Sequence, residues 1–149
     1  MAGIVWSLLG ILAGVFLALQ APINAELSRG LGLPVAAAAF SFLAGAIVLG
    51  MVSAAIVRVE GISLDWHAPA PWLFVAGGSL GGAYVTAATI LTPRLGAMAA
   101  MAFIVTGQLM GGMLIDRLGL FGLAVRELSI GRVAGALVLV TGALMIRLL

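Results

Sequence analysis

GLGLPVAAAAFSFLAGAIVLGMVSAAIV, residues Gly30–Val57, contains no Asp, Glu, Lys or Arg. A helix needs about 20 apolar residues to cross a hydrocarbon core of roughly 30 Å, and this stretch is longer than that. Four further windows share the property: Met1–Ala25, Ala68–Pro93, Leu95–Ile115 and Val133–Ile146. They define five membrane spans, and an odd number of spans places the two ends of the chain on opposite sides of the bilayer. The expected fold is an all-α integral membrane protein, a single transmembrane domain over residues 1–149 with helices at about 4–25, 34–57, 72–92, 97–115 and 130–147. Five spans in so short a chain read as half of a larger transporter-like bundle.

Composition agrees with this class. Apolar residues make up 64% of the chain and charged residues 8%, against about 25% charged in soluble domains. Mean hydropathy is +1.30. Spans and short turns consume nearly every residue, so no length is left for a separate soluble domain. The Arg residues are scattered singly and Lys is absent, which gives no basic patch to track a phosphate backbone and excludes nucleic acid as a partner. Cysteine is absent too, so there is neither a disulfide framework nor a thiolate metal site. The first window lacks a basic leader and outruns a signal-peptide core, and it is expected to be a retained first span.

The connections are short. Gly30-Leu31-Gly32-Leu33-Pro34 predicts a turn with Pro34 at a helix start, where its missing N–H costs nothing. Arg58–Pro71 is the longest polar loop and holds Glu60, Asp65, Trp66 and His67; Pro93-Arg94-Leu95-Gly96 is a tight connection; Leu118–Ser129 is amphiphilic and suits the membrane interface. Trp6, Trp66 and Trp72 fall near span ends, where indole rings favour the headgroup zone. Arg132 and Arg147, near the ends of helix five, can snorkel.

Cytoplasmic loops normally carry the excess of positive charge. On the N-terminal side the sequence offers Arg58, Arg117, Arg126 and Arg132, and on the other Arg29, Arg94 and Arg147. A near-even split is compatible with insertion in both orientations, and two oppositely inserted copies would make a ten-helix inverted repeat of the kind many transporters use. The predicted partners are the lipid bilayer, a small-molecule substrate, and either a second copy as an antiparallel homodimer or a five-helix paralogue.

Small residues recur every four positions: Gly10, Gly14 and Ala18; Gly77 with Gly81; Gly78 with Gly82; Gly107 with Gly111; Gly131 with Gly135. Such ridges let helices approach closely in lipid. Polar groups inside spans are costly and are functional candidates. Gln20 and Asn24 lie four apart on one helix face around Pro22, either as a solute or ion contact or as the cap of helix one. Gln108 lies deepest, midway along helix four, where an uncharged amide must bond another helix or a ligand. Tyr84, with Thr86, Thr89 and Thr92, is placed to face a cavity from helix three, although Thr also bonds its own helix. Helices one, three and four are expected to line that cavity.

Glu26 and Asp116 are the acids nearest membrane depth and the candidates for coupling transport to protons. Each has an Arg close by in sequence, Arg29 and Arg117, so interfacial ion pairs compete with that role. Catalysis finds no support: the single His67 sits in a loop, no nucleophile constellation or metal-ligand cluster can be assembled, and neither enzyme activity, cofactor nor metal is expected.

Taken in order, Gly14…Gln20…Asn24…Leu27, Pro34…Ser41-Phe42…Gly45, Trp72…Gly77-Gly78…Gly81, Pro93-Arg94-Leu95-Gly96 and Gly107-Gln108…Asp116-Arg117…Gly119…Phe121-Gly122 resemble the YdcZ-like family of the drug/metabolite transporter superfamily. The resemblance spans the whole chain. It implies a multi-pass protein of the bacterial inner membrane, a transporter or exporter that pairs with an inverted copy or a paralogue. The small multidrug exporters of the same superfamily resemble one another in a mid-membrane glutamate of helix one, whereas here helix one is free of charge until Glu26. That departure shifts the expected substrate from lipophilic cations to polar or neutral solutes held by amides and hydroxyls. The function expected is alternating-access transport, most simply export, of a small organic solute by an antiparallel dimer. The alternatives are a non-transporting scaffold or modulator and a half-transporter obligately paired with a paralogue.

Overall fold

A computed structural model describes residues 2–148. Its elements are α1 (Ala2–Leu31), α2 (Pro34–Glu60), α3 (Leu73–Leu95), α4 (Ala97–Leu118), a 3₁₀ turn (Leu120–Gly122) and α5 (Ile130–Leu148). All five α-helices are long and apolar enough to cross a membrane. Only helices and closed barrels satisfy every backbone polar group inside hydrocarbon, and this chain builds one helix within each of its five apolar windows.

Four helices run past their expected ends, α2 to Glu60 and α4 to Leu118, and two others through a proline. α1 continues through the polar cluster to Leu31 with Pro22 inside it, and α3 continues to Leu95 with Pro93 inside it. The breaks are correspondingly shorter than the expected turns. Gly32 ends α1 at φ +74 and its N–H donates to the Ser28 carbonyl at 2.8 Å. Gly96, at φ +82, is the sole interruption between α3 and α4. Both angles lie in the left-handed region, which only glycine enters without steric cost.

The helices fall into two compact units, divided between Ile90 and Leu91. In the first, α1 and α2 pack as a helical hairpin. Ala21, Asn24 and Ala25 form the buried stripe of α1 at the three-to-four-residue spacing of a helix face, and the adjacent Ala37 and Ala38 are buried on α2. The Gln20 amide crosses the hairpin, donating from Nε2 to Ser41 Oγ at 3.3 Å. Phe42 reaches α3, where its ring lies against Gly81 so closely that a Cβ there would stand 2.8 Å from Cζ. Before α3 the polar loop is organised by Asp65, whose carboxylate accepts from the His67 and Ala68 N–H groups, and by the stacked rings of Trp66 and Phe74 at 6.5 Å.

In the second unit α4 and α5 lie side by side. Gly119 ends α4 in the left-handed conformation at φ +61, with its N–H on the Ile115 carbonyl. After the 3₁₀ turn the chain folds back. Val125 packs on Gly119, and the Arg126 N–H donates to the Asp116 carbonyl at 2.9 Å.

Every buried apolar side chain among the described residues is alanine except Val85, and between 0 and 17% of each helix's apolar window is buried. The glycine ridges are open as well. Added Cβ atoms at Gly10, Gly14, Gly77, Gly78, Gly82, Gly107, Gly111 and Gly135 would meet nothing within 4 Å. Within a single chain most of the small-residue ridges expected to bring helices together are unused, and Gly81 is the exception.

Candidate functional site: a polar cleft between helices four and five

α4 carries Gln108, Gly112 and Asp116 at four-residue intervals, which stacks them along one face. Opposite them, α5 presents Arg132, Gly135 and Ala136. With Leu109 and Met113 these residues line an open cleft of about 540 Å³. That volume falls within the usual range for small-molecule sites, roughly 300–1,000 Å³. Gly112 and Gly135 leave the space that larger side chains would fill. At one end of the cleft Arg132 Nη1 lies 3.7 Å from Asp116 Oδ2, with the two side chains 38% and 37% exposed. Eight residues earlier, about 12 Å along the helix axis, stands the amide of Gln108. It is exposed on the helix surface of the single chain.

The charge partner differs from the expected one. Asp116 meets Arg132 across the helix pair rather than its sequence neighbour Arg117, which lines a separate apolar groove of about 330 Å³ with Met110, Leu114 and Leu137. Adjacent residues on a helix point about 100° apart, so Arg117 faces away from the carboxylate. Arg132 is thus part of the cleft as well as a span-end arginine, and α5, outside the set of helices expected to line a cavity, supplies one wall. Only the fold could disclose this, because the pairing is made by how α4 and α5 pack. A third groove, lined by Met98, Met101, Val138 and Ile146 among others, is apolar.

The remaining candidates belong to the first unit. Gln20 is partnered by Ser41. Asn24, one turn further along α1, is 3% exposed and its Nδ2 has no hydrogen-bond partner. Buried amides are normally satisfied, so this donor stands out. Glu26 is exposed and forms an ion pair with Arg29. Tyr84 is half-buried on α3. Thr86 and Thr89 donate to their own helix, to the carbonyls of Gly82 and Val85 at 2.8 Å each, so their hydroxyl protons are committed to the backbone. The structure brings Gln108 and Asp116 into one cleft and Gln20 and Asn24 onto one helix face. Among the described residues no cluster of His, Asp and Glu is placed to hold a metal ion.

Five apolar helices long enough to span a bilayer, with a polar stripe set into the flank of one, define a multi-pass integral membrane protein. The chain belongs to the family described as "Putative inner membrane exporter, YdcZ", which it matches over residues 5–145 and so in all five helices. It is accordingly a multi-pass protein of the inner membrane, in a family whose description points to transport. No curated protein and no solved structure matches it.

Proposed function

We propose that the protein exports a small polar organic solute by alternating access, with two copies in opposite orientation building a ten-helix carrier and the α4–α5 cleft as the place where solute is held. One observation carries the reading. Gln108 stands exposed midway along α4, in line with Asp116 and facing a cleft of small-molecule size. A polar group at that depth is costly against lipid and marks a solute path by default.

The antiparallel dimer is supported by the odd number of helices, the near-even distribution of arginine and the open glycine ridges, which leave backbone surface free for close approach by another chain. Gln20, Asn24 and Tyr84 are proposed as further solute contacts, Asn24 with the strongest claim because its donor has no partner. Glu26 and Asp116 are proposed as the coupling groups. Asp116 has the better claim, since it lines the cleft whereas Glu26 is held at the surface by Arg29.

Two measurements test this. A C-terminal topology reporter should be found on both sides of the membrane; a reporter confined to one side, together with purified complexes containing only parallel copies, would sink the antiparallel arrangement. Reconstituted vesicles should show solute flux that falls in Gln108→Leu. Absence of any substrate-dependent flux across a broad metabolite panel would instead favour a scaffold.

A further inference from the structure

The α4–α5 cleft is asymmetric in charge along its length. One end holds an acid and a base facing each other, while the other end, about 12 Å away, holds only a neutral amide. Leu109, Met113 and Ala136 make the intervening wall apolar. The ion pair itself is loose: 3.7 Å is longer than a charge-assisted hydrogen bond, and both side chains keep over a third of their surface exposed. Each partner therefore has unused hydrogen-bonding capacity directed at the cleft.

These features restrict what can bind. A solute with net charge would satisfy one partner and leave the other without its counter-charge beside an apolar wall. Movement away from the pair would also carry that solute along a wall with no counter-charge. A solute bearing one positive and one negative group replaces a single loose pair with two tight ones. The site then has zero net charge both empty and loaded.

We propose that the cleft selects a small, elongated zwitterion, with its carboxylate on Arg132, its ammonium on Asp116 and a hydrogen-bonding tail reaching Gln108. This rests on reading the cleft as the solute site. The guanidinium fork suits a carboxylate held through two parallel N–H···O bonds, and the acceptor-only Asp116 suits an ammonium. Gln108 offers both a donor and an acceptor, so it accommodates an amide or hydroxyl tail of either polarity.

The test uses the full-length protein in detergent, with binding read by calorimetry. Glutamine and alanyl-glutamine serve as tailed zwitterions, glycine as the head alone, glutamine methyl ester as the form lacking the carboxylate, and N-acetylglutamine as the form lacking the ammonium. The ester and the acetyl derivative should each bind at least tenfold more weakly than glutamine. Asp116→Asn should abolish discrimination against N-acetylglutamine, and Arg132→Gln should abolish discrimination against the ester. Gln108→Leu should weaken the tailed ligands tenfold and leave glycine unchanged. The double variant Asp116→Arg, Arg132→Asp, which restores a pair in reverse, should still bind glutamine. Equal binding of all three glutamine forms, or no binding of any zwitterion, overturns the proposal. If a solute of another class is transported and its flux falls in Gln108→Leu, the zwitterion is wrong and the site stands. Flux unaffected by all three single substitutions removes the site itself.

Discussion

The ring of Phe42 on α2 lies against the bare Cα of Gly81 on α3, with no room for a methyl group between them. Gly81→Ala forces the ring to shift. Overpacking of this kind costs about 1–3 kcal/mol, and the value should fall at the lower end because only the far edge of a side chain must move. Phe42→Leu in the same chain should recover most of the loss. Thermal unfolding of the purified protein in a fixed detergent measures both, and an unchanged melting temperature in Gly81→Ala would refute the contact.

Gly82, the next residue, makes the opposite test. A Cβ there meets nothing in the chain, and alanine is the better helix former by about 1 kcal/mol in soluble hosts. Gly82→Ala should leave the melting temperature of the single chain unchanged or slightly raised. If the open ridge packs against a second copy, the same substitution lowers the yield of crosslinked dimer in membranes. Unchanged crosslinking would take Gly82 out of any interface.

Asn24 is expected to give two effects of opposite sign. Replacing a buried amide that has an unpaired donor by an apolar group of similar shape removes a desolvation penalty of about 1–3 kcal/mol. Asn24→Leu should therefore hold or raise thermal stability while lowering solute affinity. A fall in both would mean that the amide is a structural partner, and a rise in stability with unchanged affinity would remove it from the site.

Gln20 and Ser41 should behave as a coupled pair. Hydrogen bonds between membrane helices average about 0.6 kcal/mol in double-mutant cycles, and a coupling of that order is expected for Gln20→Leu with Ser41→Ala. Strict additivity of the two substitutions in unfolding measurements would show that the bond across the hairpin contributes nothing.

Gly119 ends α4 at φ +61 with Val125 Cγ2 2.7 Å from where a Cβ would stand. Gly119→Ala meets both a conformational cost of about 1–2 kcal/mol and a collision. Val125→Ala added to it should restore only part of the stability, because the backbone angle is untouched. Complete rescue would show that the angle carries no cost.

The number and approximate position of the helices could be read from the charge-free windows alone, since lipid leaves the chain almost no alternative to helix there. The ends of α1 and α3 could not. Pro22, Pro93 and the polar residues around them are turn signals in water, yet the helix carries through, and Glu26 and Arg29 pair at three-residue spacing along its surface. Gln108 and Asp116 were visible as polar residues in or beside a span. That they share a wall follows from their eight-residue spacing; that Arg132 faces them does not, because it depends on how α4 and α5 pack across a connection that folds back on itself. The same holds for Gln20 and Ser41, which are joined only once the hairpin closes. The glycine periodicity showed where backbones are able to approach but not which approaches one chain makes.

A protein whose buried apolar side chains, among the described residues, are alanine in every case but Val85, and whose largest fully buried side chain there is Thr89, inverts the usual sensitivity of a fold to mutation. There is little bulk inside to whittle away, so trimming side chains removes almost nothing that holds the helices together. Growth is what the interior cannot absorb. A single added branch at Ala37 or Ala100, each wholly enclosed, will do more harm than the loss of any leucine on the lipid-facing surface.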